Sequence, residues 1–215
     1  MRIGFFGDSF SHENNKVIQK VDGHNTYINL LEKEYNTDIS INSRGGCSHW
    51  DIIINQFMPT INNLPDVCIF TWPDGNRFFH RKIRNIRMKE ALNYSDTKFK
   101  FLDVNYNLGF FSNQWKAAEM YYKHLFDEEK NNFEYLSSLH YFDSVILKKI
   151  KNTKFVHLWS FDNVYEWKNT IALDVPLIKI AESMIPSYHD GPEHKNKNYL
   201  ALNHLPGQEL NEVVF

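Results

Sequence analysis

The chain has 215 residues, 42% hydrophobic and 15% aromatic, a composition that fits one folded domain and excludes a disordered one. Its formal net charge of -2 provides no general attraction to nucleic acid or to an acidic membrane surface. Asp8 interrupts the N-terminal apolar run too early for a secretory signal, and no stretch is apolar for long enough to span a bilayer. Only two cysteines occur, Cys47 and Cys68, so the expectation is a cytoplasmic, reducing setting with both thiols free and buried.

In chain order, residues 3–6 form a short apolar run that Gly7-Asp8-Ser9 stops abruptly, which predicts a buried strand ending in a tight turn. Residues 24–35 place Tyr27, Ile28, Leu31 and Tyr35 at helical spacing, with Asn25 or Thr26 as N-cap. Residues 38–42 alternate as a second strand and run into the turn Ser43-Arg-Gly-Gly-Cys47. Ser48 stands three residues before Asp51, a capping-box-like start for a helix through Ile52, Ile53 and Phe57. After the break at Asn62-Asn-Leu-Pro65, residues 66–72 read as a third, wholly apolar strand. This rhythm of strand, helix, strand, helix, strand predicts a three-layer α/β/α sandwich around a parallel sheet.

The middle is less regular. Residues 77–94 interleave Arg77, Arg81, Lys82, Arg84, Arg87 and Lys89 with Phe78, Phe79, Ile83 and Met88, which reads as an amphipathic covering segment with its cations in water. Residues 99–113 are aromatic and rich in asparagine, without a clear period. Long helices are expected over 114–126 and 133–150, a fourth strand over 154–159, and a short helix over 176–183 with Pro176 in its first turn. Residues 187–197 are polar and turn-like, and residues 206–215 suit a closing helix. With no repeat and no linker, the expectation is one domain, 1–215, carrying an irregular and helical insertion around 77–150.

A serine at the carboxyl end of a strand lies where open α/β sheets place their ligands. The hydroxyl becomes a nucleophile only with a base to take its proton, a group to orient that base, and donors for the oxyanion. Four stretches bear on this. Gly7-Asp8-Ser9 behind the first strand resembles the opening block of the SGNH (GDSL) hydrolases, a family of serine esterases with a flavodoxin-like fold. Asn42-Ser-Arg-Gly-Gly-Cys-Ser48 is similar to the family's second block, and Gly46 matches its oxyanion glycine. Thr71-Trp-Pro-Asp-Gly-Asn76 follows the third strand where the family carries Gly-x-Asn-Asp. Asp74-Gly75 fits there, but Pro73 replaces the asparagine, leaving Asn76, Thr71 or a backbone amide as substitute donors. Asn203-His-Leu-Pro-Gly resembles the closing block and makes His204 the expected base.

The acid of that block should stand three residues before the histidine, where this chain has Ala201; Asp190 is the nearest aspartate, and a dyad without acid is the other option. His189 and His194 are alternative bases, although Pro186 occupies the acid position relative to His189. The resemblance thus implies an esterase with Ser9 as nucleophile, His204 and Asp190 behind it, and an oxyanion hole from the N–H groups of Ser9 and Gly46 with Asn76. Asp8, Asp74 and Arg77 are expected beside the substrate, a small-molecule or carbohydrate ester, with no cofactor required.

Other readings stay open. His189, Asp190, Glu193 and His194 are metal-ligand residue types close together, which would suit a metal-dependent hydrolase, but their spacing is not that of a helical zinc site and Gly191-Pro192 interrupts them. The altered third and fourth blocks suit a fold retained as a carbohydrate-binding or assembly module without turnover.

Overall fold

The computed structural model describes residues 1–11, 27–80, 83–87, 108–161, 164–168 and 170–184. Five parallel strands form the central sheet in the order β2-β1-β3-β6-β7: β1 (Arg2–Gly7), β2 (Asp38–Ile41), β3 (Val67–Trp72), β6 (Lys154–Trp159) and β7 (Ile171–Ala172). The four expected strands are in place. The fifth, β7, is two residues long, too short to leave a pattern in the sequence.

Alternation along the strands divides the core into two layers, because successive side chains point to opposite faces of a sheet. Ile3 and Phe5 of β1, Ile69 of β3 and Leu158 of β6 pack on one face with Tyr27 and Ile28 of helix α1 (Tyr27–Tyr35) and Leu177 and Ile178 of helix α5 (Leu177–Met184). Phe6, Phe70, Trp72, Phe155 and Trp159 take the other face. There they meet helix α2, which opens at His49–Asp51, continues as a π-helical segment Ile52–Phe57 and closes as a 3-10 turn Met58–Thr60. The predicted cap is present, with Ser48 Oγ accepting the Asp51 N–H at 3.3 Å.

The stretch between β3 and β6 does two jobs. Within the stretch expected as an amphipathic cover lies a two-stranded antiparallel hairpin, β4 (Arg77–His80) and β5 (Ile83–Arg87). Two helices follow: α3 (Leu108–His124) and α4 (Glu128–Tyr141), the latter running on through a π-helical segment Phe142–Ile146 and a 3-10 turn Leu147–Lys149. Asp127 caps α4 by accepting the Lys130 N–H at 2.9 Å, and Glu128 and Glu129 in the first turn favour the positive end of its dipole. Tyr135, Leu139, Phe142 and Leu147 of this helical run enter the second core layer, so it is the crossover that carries the chain from β3 to β6.

An aromatic row crosses the sheet on that face. Phe6 and Phe70 stack at 5.3 Å, Phe70 and His157 at 5.1 Å, and His157 and Trp167 at 3.5 Å. Cys47 and Cys68 are free and buried, as expected, and burial pushes both thiols up. No helix among the described residues is long and apolar enough to cross a membrane.

Candidate active site

The chain runs from β1 outward to β2, then returns to place β3 on the other side of β1. This reversal opens a crevice at the carboxyl ends of β1 and β3, the position where doubly wound sheets bind ligands. Three loops meet there: the turn after β1, the turn after β2 and the turn after β3.

The first loop carries Ser9, which begins a 3-10 turn, Ser9–Ser11, and is half-buried. Its form follows from Asp8. The Asp8 N–H reaches Thr71 on β3, at 3.3 Å to the carbonyl and 3.2 Å to Oγ1. Its Oδ1 accepts the Phe10 N–H at 3.1 Å and the Ser160 hydroxyl at 2.9 Å, which ties the turn to the end of β6. Behind it, Ser11 Oγ lies 2.7 Å from Ser43 Oγ and 2.6 Å from Thr71 Oγ1, so these three buried hydroxyls satisfy one another. Thr71 is engaged in that chain and in holding Asp8, not in presenting a donor to the crevice.

The second loop brings a glycine pair beside the serine. A Cβ placed on Gly45 would lie 3.9 Å from Ser9 Cβ. Gly46 adopts φ +73, a left-handed conformation that glycine takes without strain, and open space faces its α-carbon. Both ends of this loop are pinned to Gly7, whose carbonyl accepts the Arg44 N–H at 2.9 Å and the Cys47 Sγ–H at 3.1 Å.

The third loop, residues 73–76, is held by the helices behind it. Tyr135 Oη–H donates to the Pro73 carbonyl at 2.8 Å, Asn131 Nδ2 to the Gly75 carbonyl at 3.0 Å, and Tyr122 Oη–H to the Asn76 carbonyl at 3.0 Å. A Cβ on Gly75 would lie 2.7 Å from the Tyr135 ring, so that approach requires glycine. The Asn76 side chain points the same way, its Oδ1 accepting from Asn131 Nδ2 at 3.2 Å.

Asp8, Asp74 and Arg77, expected beside the substrate, are brought together with one another. Arg77 Nη2 lies 3.6 Å from Asp8 Oδ2 and its Nε 3.6 Å from Asp74 Oδ2; the Asp8 and Arg77 side chains are fully buried, and Asp74 is partly exposed. Arg77 Nη1–H also donates to the Cys47 carbonyl at 2.7 Å, and the guanidinium stands 5.7 Å from the centre of the Phe161 ring. Arg77 further lines a cavity of about 130 Å³ with Trp50, Tyr121, Tyr122 and Asn131. Sequence reasoning marked Arg77 as a neighbour of the site; its burial depends on two carboxylates and a carbonyl from separate loops, which no local pattern reveals.

His49, in the first turn of α2, was not singled out from the sequence. It is buried against Tyr135, at 4.5 Å between ring centres, and burial lowers its pKa to about 3, so the ring is neutral. Asp190, His189, His194 and His204 lie outside the described residues, as does the closing helix expected over 206–215. Among the described residues no group of His, Cys, Asp and Glu could hold a metal ion.

No protein-family model matches the chain, and no curated protein matches it. Among solved structures it is similar to an acetyl xylan esterase (Est2A) from the rumen bacterium Butyrivibrio proteoclasticus, at 12% identity and a TM-score of 0.37, over 76% of this chain and 48% of that one. The chain thus spans about half the length of that protein.

Proposed function

We propose that the chain is a serine hydrolase of SGNH type that cleaves an ester, with Ser9 as nucleophile. The observation that carries this reading is the juxtaposition at the sheet's switch point: Ser9 on the turn after β1, against the Gly45-Gly46 pair after β2. Ser9 Oγ attacks the ester carbonyl while a histidine takes its proton; His204 is the base, supported by Asp190, with His189 and His194 as alternatives. The tetrahedral oxyanion is received by the N–H groups of Ser9 and Gly46. Asn76 Nδ2 is the further donor once that side chain swings in from Asn131, which holds its Oδ1. The same histidine then returns the proton to the leaving alkoxide, and water releases the acyl group.

The substrate is a small or carbohydrate ester, and deacetylation is the reaction this reading favours. A fluorophosphonate probe tests the reading, because it modifies only an activated serine. Labelling of the wild-type chain that disappears in Ser9→Ala supports it; folded wild-type protein that takes no label removes it.

A second reading is favoured by one observation: Pro73, held by Tyr135, supplies no side-chain donor where the resemblance requires one. In that reading the fold is a carbohydrate-binding module without turnover, and glycan affinity without labelling identifies it. A metal-dependent hydrolase built on the His189–His194 stretch differs from both, since a chelator would stop it and Ser9→Ala would not.

A further inference from the structure

One side chain touches all three loops of the crevice. We propose that Arg77 is the positioning residue of the site, a clamp whose guanidinium fixes the nucleophile turn, the glycine turn and the third turn relative to one another. The catalytic half of this proposal rests on reading Ser9 as the nucleophile; the clamp itself does not.

The geometry assigns a separate edge of the guanidinium to each loop. Nη2 faces Asp8, Nε faces Asp74, and Nη1 donates to the carbonyl of Cys47, the residue directly after Gly46. The effect on Ser9 passes through Asp8. One of its oxygens faces Arg77, and the other accepts the Phe10 N–H inside the turn that begins at Ser9 and the hydroxyl of Ser160 after β6. Moving Arg77 therefore moves the carboxylate that shapes the serine turn.

Asp74 is held from two directions. Its carboxylate faces Arg77, while the carbonyls on either side of it, Pro73 and Gly75, are taken by Tyr135 and Asn131 of α4. Taking a guanidinium out of water is costly; here Nη1 makes a hydrogen bond, while Nη2 and Nε face their carboxylates as ion pairs at 3.6 Å without one. Arginine alone suits this position. Its planar fork presents several N–H groups in fixed directions, whereas a lysine ammonium is a point charge that cannot reach three loops at once.

The test uses the full chain as wild type, Arg77→Met and Arg77→Lys. Hydrogen exchange is followed at the backbone amides of residues 8–11, 44–47 and 74–76, with β1 and β3 as internal references. Hydrolysis of an aryl acetate and fluorophosphonate labelling are measured in parallel. In Arg77→Met all three loops should exchange faster together while the strands stay protected. The kcat should fall roughly a hundredfold with KM changed less than about twofold, as expected when a catalytic group is misplaced without loss of substrate binding.

Arg77→Lys should recover part of the kcat and leave the 44–47 loop the most exposed, because the Cys47 carbonyl loses its donor. Loosening confined to residues 74–76, or a folded Arg77→Met with wild-type kcat, would overturn the proposal. Should Arg77→Met fail to fold, wild-type exchange at all three loops in Arg77→Lys would overturn it equally. Wild-type protein with neither label nor turnover would remove the serine-hydrolase reading, while the exchange data would still decide whether the clamp exists.

Discussion

The side-chain amide of Gln56 brackets Gly7: Oε1 accepts the Gly7 N–H at 2.7 Å, and Nε2 donates to the Gly7 carbonyl at 3.1 Å. A residue on a helix thus completes the last peptide of β1, immediately before the turn that carries Ser9. Gln56→Leu should leave the carbonyl satisfied, since it still receives Arg44 and Cys47, but it orphans the buried N–H. The expected loss is about 1–3 kcal/mol, the cost of an unmade buried hydrogen bond, read from the urea midpoint at unchanged m. A loss near zero would show that the bracket contributes little.

Two glycines at the crevice should respond in opposite ways. At Gly7 a Cβ would overlap Thr71 Oγ1 and lie 2.7 Å from the Thr71 carbonyl oxygen, so Gly7→Ala must displace β3 backbone. That variant is expected to be insoluble or to unfold well below the wild-type temperature. Gly46→Ala meets nothing within 4 Å and suffers only the strain of its φ of +73. It should fold, lose about 1–2 kcal/mol, and keep its activity, because alanine retains the backbone N–H proposed for the oxyanion hole.

Ser9→Ala should abolish hydrolysis of a short aryl ester while leaving the melting temperature nearly unchanged, since Ser9 is half-buried and Asp8 sets the turn's shape. Retained turnover would take Ser9 out of the mechanism. His204→Ala and His189→Ala, measured side by side, identify the base by which one loses labelling. Asp190→Asn should cost activity steeply if the carboxylate orients that imidazole, and should be nearly silent if the site is a dyad.

Acid should destabilise the fold through two buried imidazoles. Burial holds the pKa of His49 down at about 3 and that of His157 well below its ordinary value. His157 Nδ1 accepts the Trp72 Nε1–H at 2.9 Å, which fixes the neutral form with its proton on Nε2. Both rings stay neutral in the folded chain while the unfolded chain gains protons below its ordinary value of 6.5. Their contribution to stability is therefore fully present above that pH and is lost as pH falls, down to about 3 for His49, roughly tenfold in the folding equilibrium per pH unit for each ring. Unfolding in urea at pH 7 and 4.5 checks this, and His49→Gln should flatten the dependence; an unchanged slope would remove His49 from the account.

The sequence by itself determined four of the sheet's five strands and their parallel direction. Residues 2–7, 38–42, 66–72 and 154–159 announce strands through local apolar runs ended by turn residues, and the helices between them force parallel pairing. Ser48 announces its cap because capping is settled within four residues. Only the tertiary structure decided what the polar residues do. Arg77 sits in a run of cations that reads as a solvated face, yet it is buried because Asp8, 69 positions earlier in the chain, and the Cys47 carbonyl converge on it. The same reason explains Gln56 and Tyr135, whose partners Gly7 and Pro73 are far away in sequence. Strand formation depends on neighbours along the chain, whereas desolvating a polar group is tolerable only once distant loops have supplied its partners.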